Sequence, residues 1–330
     1  MKFFYFTVCF LAISMVTLPS FTATHSIITI CTWNLEHLAA NNDSGCKPRK
    51  DSDYKALKTY AVALQADIVA FQEVENSAAA YRIFDPAAYQ IEISARPEID
   101  LGRCRGNERD RLMQRTGFAV RKDLREKHGI SYKRLADVQT LAVDPSERWG
   151  VQIVLEFGDA VKNPLHLLCV HLKSGCPHKD LSDQDDDSPC GKLAEQVTRL
   201  EAWLDARAEA GEQFIVLGDM NRQLDALGDP VWEALDDSEI CSWERPVSGP
   251  WYCRNGTSRF SPIADLERAR AGRKHPYPLN PRYPFAIDHI IMSAGADQMA
   301  IEKTAEFIRC APNLSDHAAL VMKLDFKGPR

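Results

Sequence analysis

Short apolar runs, four to eight residues long and ending in polar residues, alternate along this chain with longer stretches that repeat at helical spacing. Ser26 to Trp33 reads as a strand, and Asp51 to Gln65 as a helix with an acidic start. Asp67 to Phe71 and Gly117 to Val120 are short buried strands. Trp149 to Phe157 and Leu165 to Val170 follow as neighbours. Lys192 to Ala210 is the longest helical pattern, and Gln213 to Leu217 is the strand after it. Ala286 to Met292, Ala300 to Ile308 and His317 to Leu324 close the chain as strands. No repeat, low-complexity tract or linker interrupts this interleaving. The expectation is one α/β domain of two packed, mostly antiparallel sheets with helices on the outer faces.

The first residues break the pattern. After Lys2, Phe3 to Leu18 is almost wholly apolar, and Pro19, Ser20 and small residues follow. The run is shorter than the ~20 residues of a spanning helix, so residues 1–23 read as a signal peptide and 24–330 as the catalytic domain. The protein is therefore expected to be secreted or periplasmic. Cysteine usage agrees with export. Of ten cysteines, Cys9 leaves with the signal, and an odd number remains. Cys31 and Cys169 sit inside apolar strands as small core residues. Cys176 with Cys190 and Cys241 with Cys253 each bracket a polar loop, and Cys46 and Cys104 both lie in basic, Gly-containing loops. These are the three expected disulfides.

A net charge of −6 gives no global field that would attract nucleic acid. The distribution is uneven, because Arg96 to Arg134 carries nine Arg and three Lys against six acids, a local +6. Arg103, Arg105, Arg109, Arg111 and Arg115 are candidates to meet phosphates there. The alternative is a solvated charged hairpin.

Chemistry concentrates at strand ends. Six polar signatures recur: Asn34-Leu35-Glu36, Gln72-Glu73, His171-Leu172-Lys173-Ser174, Gly218-Asp219-Met220-Asn221, Asp288-His289 and Ser315-Asp316-His317. One Asp or Asn after a strand is usually a turn former. Six in one chain point to a shared site. Hydrolysis of a phosphodiester anion needs charge neutralisation, an activated water and a stabilised leaving oxygen. Asn34, Glu36, Glu73 and Asp316 are hard oxygen donors suited to Mg²⁺, with Mn²⁺ or Ca²⁺ as alternatives. Asp219 and Asn221, two apart on an extended segment, are expected to point to one side. No zinc-like ligand spacing and no Gly-rich phosphate loop is present.

In this order the six motifs resemble the endonuclease/exonuclease/phosphatase superfamily, which includes deoxyribonuclease I, apurinic endonucleases, neutral sphingomyelinases and inositol polyphosphate 5-phosphatases. The resemblance covers nearly all of the chain after the signal. It implies a four-layer α/β sandwich with the site where the two sheets meet. It further implies Glu73 as main metal ligand with Asn34 and Glu36 beside it, and Asp316 as an acidic neighbour able to bind a second metal. His171 would contact the scissile phosphate, Asp219 and Asn221 would orient or deprotonate water, and Asp288 would hold His317. Lys173, Ser174 and Arg115 are the expected substrate contacts. The resemblance leaves the general base open between Asp219 and His317. His289 follows Asp288 where other members often have Tyr or Arg.

The substrate is less constrained. A secreted, monomeric nuclease or general phosphodiesterase leads. A lipid-directed phosphoesterase is the second reading, favoured by Trp243, Trp251 and Tyr252 in the Cys241–Cys253 loop and by the acidic balance. A binding protein that keeps the fold without turnover is the third. Asp183, Asp185, Asp186 and Asp187 lack the Gly and terminal Glu of an EF-hand loop and read as a solvated run. His166 and His178 read as surface histidines, and the Pro-rich stretch His275 to Pro284 as a loop leading to Asp288.

Overall fold

In the first strand, Ser26–Leu38 (β1), Ile28 and Ile30 face one way while Cys31, Trp33 and Leu35 face the other, and all five are fully buried. A strand apolar on both sides must lie between two layers. The computed structural model describes residues 26–157, 164–181, 187–236, 251–252, 258–259, 266–268 and 286–326, and it shows both layers.

Two six-stranded sheets carry the fold. The first contains β1, Ile68–Val74 (β2), Tyr89–Ile93 (β3), Arg115–Arg121 (β4), Glu306–Ile308 (β13) and Ala319–Phe326 (β14). Its order is β13-β14-β1-β2-β4-β3. The second contains Ser131–Arg134 (β5), Val151–Glu156 (β6), Leu165–His171 (β7), Gln213–Asp219 (β8), Leu266–Arg268 (β11) and Asp288–Ser293 (β12). Its order is β11-β12-β8-β7-β6-β5. Trp251–Tyr252 (β9) and Ser258–Arg259 (β10) pair separately. Each sheet has one parallel pair at its centre, β1 with β2 and β7 with β8, and every other pairing is antiparallel.

Three apolar clusters fill the three gaps of a four-layer sandwich. The central one joins Ile28, Ile30, Ile68, Phe118 and Met322 of the first sheet to Ile153, Leu167, Ile215 and Ile290 of the second. On the outer face of the first sheet, Tyr54, Leu57 and Ala61 of helix Asp51–Ala63 (α1) pack on Cys31, Trp33 and Val69. On the outer face of the second, Leu193, Val197, Leu200 and Leu204 of helix Pro189–Glu209 pack on Leu168, Phe214 and Val216. Their spacing of four, three and four residues makes one helical stripe. Ser188 caps that helix by accepting the Gly191 N–H at 2.9 Å, and Pro189 occupies its first turn. No helix among the described residues is long and apolar enough to cross a membrane.

Two of the expected disulfides are formed, Cys46–Cys104 across 58 residues and Cys176–Cys190 across 14. Cys31, Cys169 and Cys310 are free and buried. Cys241, Cys253, Trp243, the Pro-rich stretch, the 1–23 segment and Asp183 to Asp186 lie outside the described residues.

Several expectations need correction. The strand expected over Ala300 to Ile308 shrinks to Glu306–Ile308, because a turn with Lys303 at φ 62° and a Thr304 hydroxyl bonded to the Ile301 carbonyl ends the earlier part. Strands β3 and β5 were not anticipated, since Tyr89–Ile93 and Ser131–Arg134 are half polar. His166 is buried rather than superficial, with its Nε2 3.5 Å from Glu212.

Candidate active site

The inward rows that build the central core also carry the polar signatures. On β1 the row Ile28, Ile30 continues to Thr32 and Asn34. On β2 Ile68 and Ala70 lead to Gln72, on β7 Leu167 and Cys169 lead to His171, and on β8 Ile215 and Leu217 lead to Asp219. Period-two alternation therefore sends these polar residues into the same seam as the apolar ones. Register completes the alignment: His171 lies opposite Asp219, Asp219 opposite Asp288, and Asn34 opposite Gln72.

Asp219 is the hub and is 2% exposed. Its Oδ2 accepts from Asn34 Nδ2 at 3.0 Å, a bond that crosses from one sheet to the other, and its Oδ1 accepts the Asn221 N–H at 2.8 Å. The Nε2 atoms of His171 and His317 lie 3.5 and 3.8 Å from Oδ2. On its far side, His317 Nδ1 meets Asp288 Oδ2 at 2.8 Å. Donor atoms of Asp219, Asp288 and His317 fall within 4.8 Å of one another. The short Asp288–His317 hydrogen bond makes this a proton-bearing pair beside a carboxylate.

Glu73 stands at the edge of this group, its Oε1 3.7 Å from His171 Nε2. Its Oε2 accepts the His37 N–H at 3.0 Å, and His37 Nε2 lies 3.6 Å from the same oxygen. Glu36 is ion-paired with Lys47 at 2.9 Å and accepts the Asp316 N–H at 3.0 Å. Asn34 Oδ1 accepts the Glu36 N–H at 2.9 Å. The Asp316 side chain is 65% exposed at the rim.

Backbone strain gathers at the same place. Four of the seven described non-glycine residues with positive φ are Glu36, His37, Glu73 and Asn221, and such conformations persist only where surroundings impose them. Buried Arg49 supplies part of that constraint, donating to the carbonyls of Leu35, Glu36 and Leu314 at 2.6 to 3.0 Å. Gly218 has no alternative residue: a Cβ there would lie 2.0 Å from the Val170 carbonyl oxygen. The left-handed turn at Asn221, φ 49°, overturns the expectation that it points alongside Asp219. Its side-chain amide donates instead to the Leu172 carbonyl at 3.1 Å.

The fields of these groups oppose one another. Burial raises the Asp219 carboxyl to about 7. Burial lowers His317, but Asp288 and then Asp219 outweigh it and hold the imidazole well above its ordinary value. Burial, then the Arg148 guanidinium, push His171 well down. Burial lowers His37 more than the Glu73 charge raises it. For Glu73 burial acts upward, but His37, His317 and Arg148 prevail and the carboxyl lies below its ordinary value. Burial and the Asp316 charge raise Glu36 against Lys47. Asp219 and the two histidines thus present different protonation behaviour within one crevice.

The remaining expected residues are dispersed. Lys173 borders the site, its Nζ 3.3 Å from buried Glu147, and Ser174 is exposed beside it. Arg115 turns inward rather than toward substrate, donating to the Glu75 and Arg96 carbonyls, because β4 buries it. Arg103 pairs with Asp110, and Arg111 donates to Gln114 at 2.6 Å. His289 faces the outer side of its sheet, bonded to the Arg222 and Ala286 carbonyls at 2.9 and 3.0 Å. Sequence reasoning missed His37, Arg49, Glu147 and Arg148. The last two form a buried pair at 2.9 Å, and Arg148 Nε also donates to the His171 carbonyl at 3.2 Å. Charged residues flanking a strand give no period-two signal, so only their burial reveals them.

Comparison with known proteins agrees with this architecture. The human Nocturnin catalytic domain superposes with a TM-score of 0.54 at 18% identity, covering 92% of this chain and 95% of that one. A humanized TDP2 of D. rerio gives 0.52 at 16% identity, over 91% and 99% of the two chains. The AP endonuclease LMAP of Leishmania major gives 0.52 at 12% identity, over 91% and 88%. No curated protein matches by sequence. The model of the Endonuclease/Exonuclease/phosphatase family matches residues 31–317, so the chain belongs to that family.

Proposed function

We propose that this protein is a secreted, divalent-cation-dependent phosphodiesterase of nuclease type. The observation that carries the reading is the convergence of Asp219, His171 and the His317–Asp288 pair in one buried seam, with all Nε2–Oδ2 separations below 4 Å. Such a set fits attack of water on a phosphodiester anion, since ionisable groups with opposed pKa shifts gathered in one crevice mark a candidate reactive site.

Asp219 is the group assigned to take the proton of the attacking water. Asn34 and the Asn221 N–H hold its two oxygens in place. His317 donates its Nδ1–H to Asp288, and a second proton on Nε2, on the side facing Asp219, makes a cationic imidazole that stabilises the phosphate oxygens. His171 supplies a second hydrogen-bonding group on the opposite flank, and Lys173 a cation at the rim.

The donor chemistry of the neighbouring residues fits a divalent ion. Glu73, Asn34 and Asp316 offer hard oxygens, and would hold it. Glu36, already matched by Lys47, fixes Asp316 through its N–H. A bound ion supplies charge neutralisation at the phosphoryl oxygen and leaving group. Mg²⁺ is the expected ion, with Mn²⁺ and Ca²⁺ also compatible with this donor set.

A nucleic acid substrate is supported by the basic loop around Arg105 and Arg109, which is exposed, stapled by Cys46–Cys104 and connected to the site edge through Arg111 and Gln114. The AP endonuclease among the structural neighbours adds analogy only. Export is supported by the two disulfides. Plasmid nicking and sphingomyelin headgroup release, each assayed with Mg²⁺, Mn²⁺, Ca²⁺ and chelator, test the reading. Nicking that needs a cation is expected. Headgroup release alone would transfer the activity to lipid, and silence on both with metal bound would leave a binding protein.

A further inference from the structure

Residues 102–111 read in the sequence as one undivided basic loop, but their backbone sorts the charges. Arg103 and Asp110 form an antiparallel bridge. It is flanked by hydrogen bonds from the Cys104 N–H to the Arg109 carbonyl and from the Arg111 N–H to the Gly102 carbonyl, both 2.8 Å. The segment is therefore a short two-stranded ribbon. Residues directly opposite each other share a face, and neighbours along a strand alternate. Arg103 and Asp110 lie on one face and neutralise each other at 2.6 Å. Arg109, opposite Cys104, and Arg111, opposite Gly102, lie on the other.

Buried Cys104 is bonded to Cys46, which turns this second face toward the body of the domain. There Arg109 Nη1 donates to the Asp43 carbonyl, and Arg111 Nη2 to Gln114 Oε1 at 2.6 Å. Both acceptors are neutral, and neither guanidinium pairs with a carboxylate among the described residues. Each fork has five N–H donors, so most remain for a ligand. Arg109 is exposed and Arg111 half-buried. Gln114 stands 3.5 Å from His37, whose ring lies 3.6 Å from Glu73, so Arg111 begins where the crevice ends. With burial and Arg148 foremost, the Arg111 charge is among those that depress the His171 imidazole inside the crevice. Two positions apart on one strand, Arg111 and Arg109 are spaced by about 7 Å.

We propose that Arg111 and then Arg109 form a phosphate track leading out of the crevice along the disulfide-bearing face of the ribbon, so that the substrate is a strand with successive phosphates. The proposal rests on the nuclease-type reading above and narrows its substrate. While the scissile phosphate sits at Asp219, further phosphates of the same strand meet the two guanidinium forks, whose planar donors match phosphate oxygens. The Cys46–Cys104 bond seats the ribbon before binding, which limits the ordering cost when the strand docks. Arg103, already matched by Asp110, adds no contact.

The test is binding of a labelled single-stranded oligonucleotide to the whole chain, followed by fluorescence anisotropy over a salt series. Chelator is present throughout, so neither turnover nor a bound cation enters. For the parent, the logarithm of the affinity falls linearly with the logarithm of salt concentration. Arg109→Gln combined with Arg111→Gln is expected to weaken binding on the order of tenfold and to reduce that slope by roughly 1.4, the share of two single-strand phosphate contacts. Arg103→Gln, on the opposite face, is expected to keep the parent's affinity and slope. Arg109→Lys combined with Arg111→Lys returns the charges and is expected to restore the slope, which a merely structural loss in the Gln pair would not predict. An unchanged slope in the Gln pair, an equal loss per charge in Arg103→Gln, or no rescue by Lys overturns the track while the parent's binding, and the nuclease reading, stand. No binding by the parent at any salt concentration removes the nucleic acid substrate and the track together.

Discussion

Asp288 Oδ2 lies 2.8 Å from His317 Nδ1, and the two residues come from a strand of the second sheet and from the lead-in to a strand of the first. Asp288 begins β12 and is fully buried, and His317 precedes β14. The carboxylate therefore sets both the tautomer and the charge of an imidazole delivered from the opposite layer. Replacing Asp288 by Asn keeps the volume and removes the charge. Turnover is expected to drop by about 10² to 10⁴, the range for a lost acid–base group, with the circular dichroism spectrum unchanged. Turnover within a factor of three of the parent would remove His317 from the chemistry.

Gly218 precedes Asp219 where β8 passes β7. The Cβ of Gly218→Ala would meet Val170 backbone, which has no flexible end to yield. A loss on the order of 2–4 kcal/mol is expected, in the upper part of the range for point substitutions, together with displacement of Asp219. Urea titration measures the first, and the fall in kcat at temperatures where the variant is folded measures the second.

The disulfides should differ in their effect on stability. Loop-closure entropy gives about 3 kcal/mol for the 14-residue Cys176–Cys190 loop and about 4 kcal/mol for the 58-residue Cys46–Cys104 loop. Paired Ser replacements, compared by chemical denaturation, should follow that order. The Cys46–Cys104 variant should also lose more substrate affinity than kcat, because it frees the basic loop beside the site.

His166 predicts a pH dependence away from the crevice. Burial lowers its pKa, with Glu212 opposing and Arg207 adding to the shift. The unfolded chain then binds the proton more readily than the folded one. Stability is fully present above about pH 6.5, the ordinary imidazole value, and declines as pH falls below it toward the depressed folded value. His166→Leu removes this contribution. The difference in Tm between variant and parent is expected to move in the variant's favour from pH 8 to pH 5, and a pH-independent difference contradicts it.

Much of this architecture is legible in the sequence because one rule produces both core and site. Ile28 and Ile30 announce an inward row, and Asn34 continues it. Leu167 and Cys169 do the same for His171, as do Ile215 and Leu217 for Asp219. The rule fails where the backbone leaves the strand region. Positive φ at His37 and Asn221 sends their side chains where alternation does not. Arg115 misled through its company of surface arginines, although its place in the strand Arg115–Arg121 already implied burial on one parity. Glu147 and Arg148 carry no periodic signal at all. His166 reads as a surface residue until the neighbouring helix Pro189–Glu209 and strand β8 are placed around it.

The Asn34–Asp219 bond, the Asp288–His317 bond and the contact of the Cys169 thiol with the Phe71 carbonyl at 3.4 Å all span the gap between the two sheets. The crevice is thus a joint between two plates, and its alignment is only as stiff as the apolar filling behind it. A substitution deep among Ile30, Ile215 and Ile290, far from the polar seam, is expected to slide one plate over the other and to retard the proposed turnover before it lowers the melting temperature.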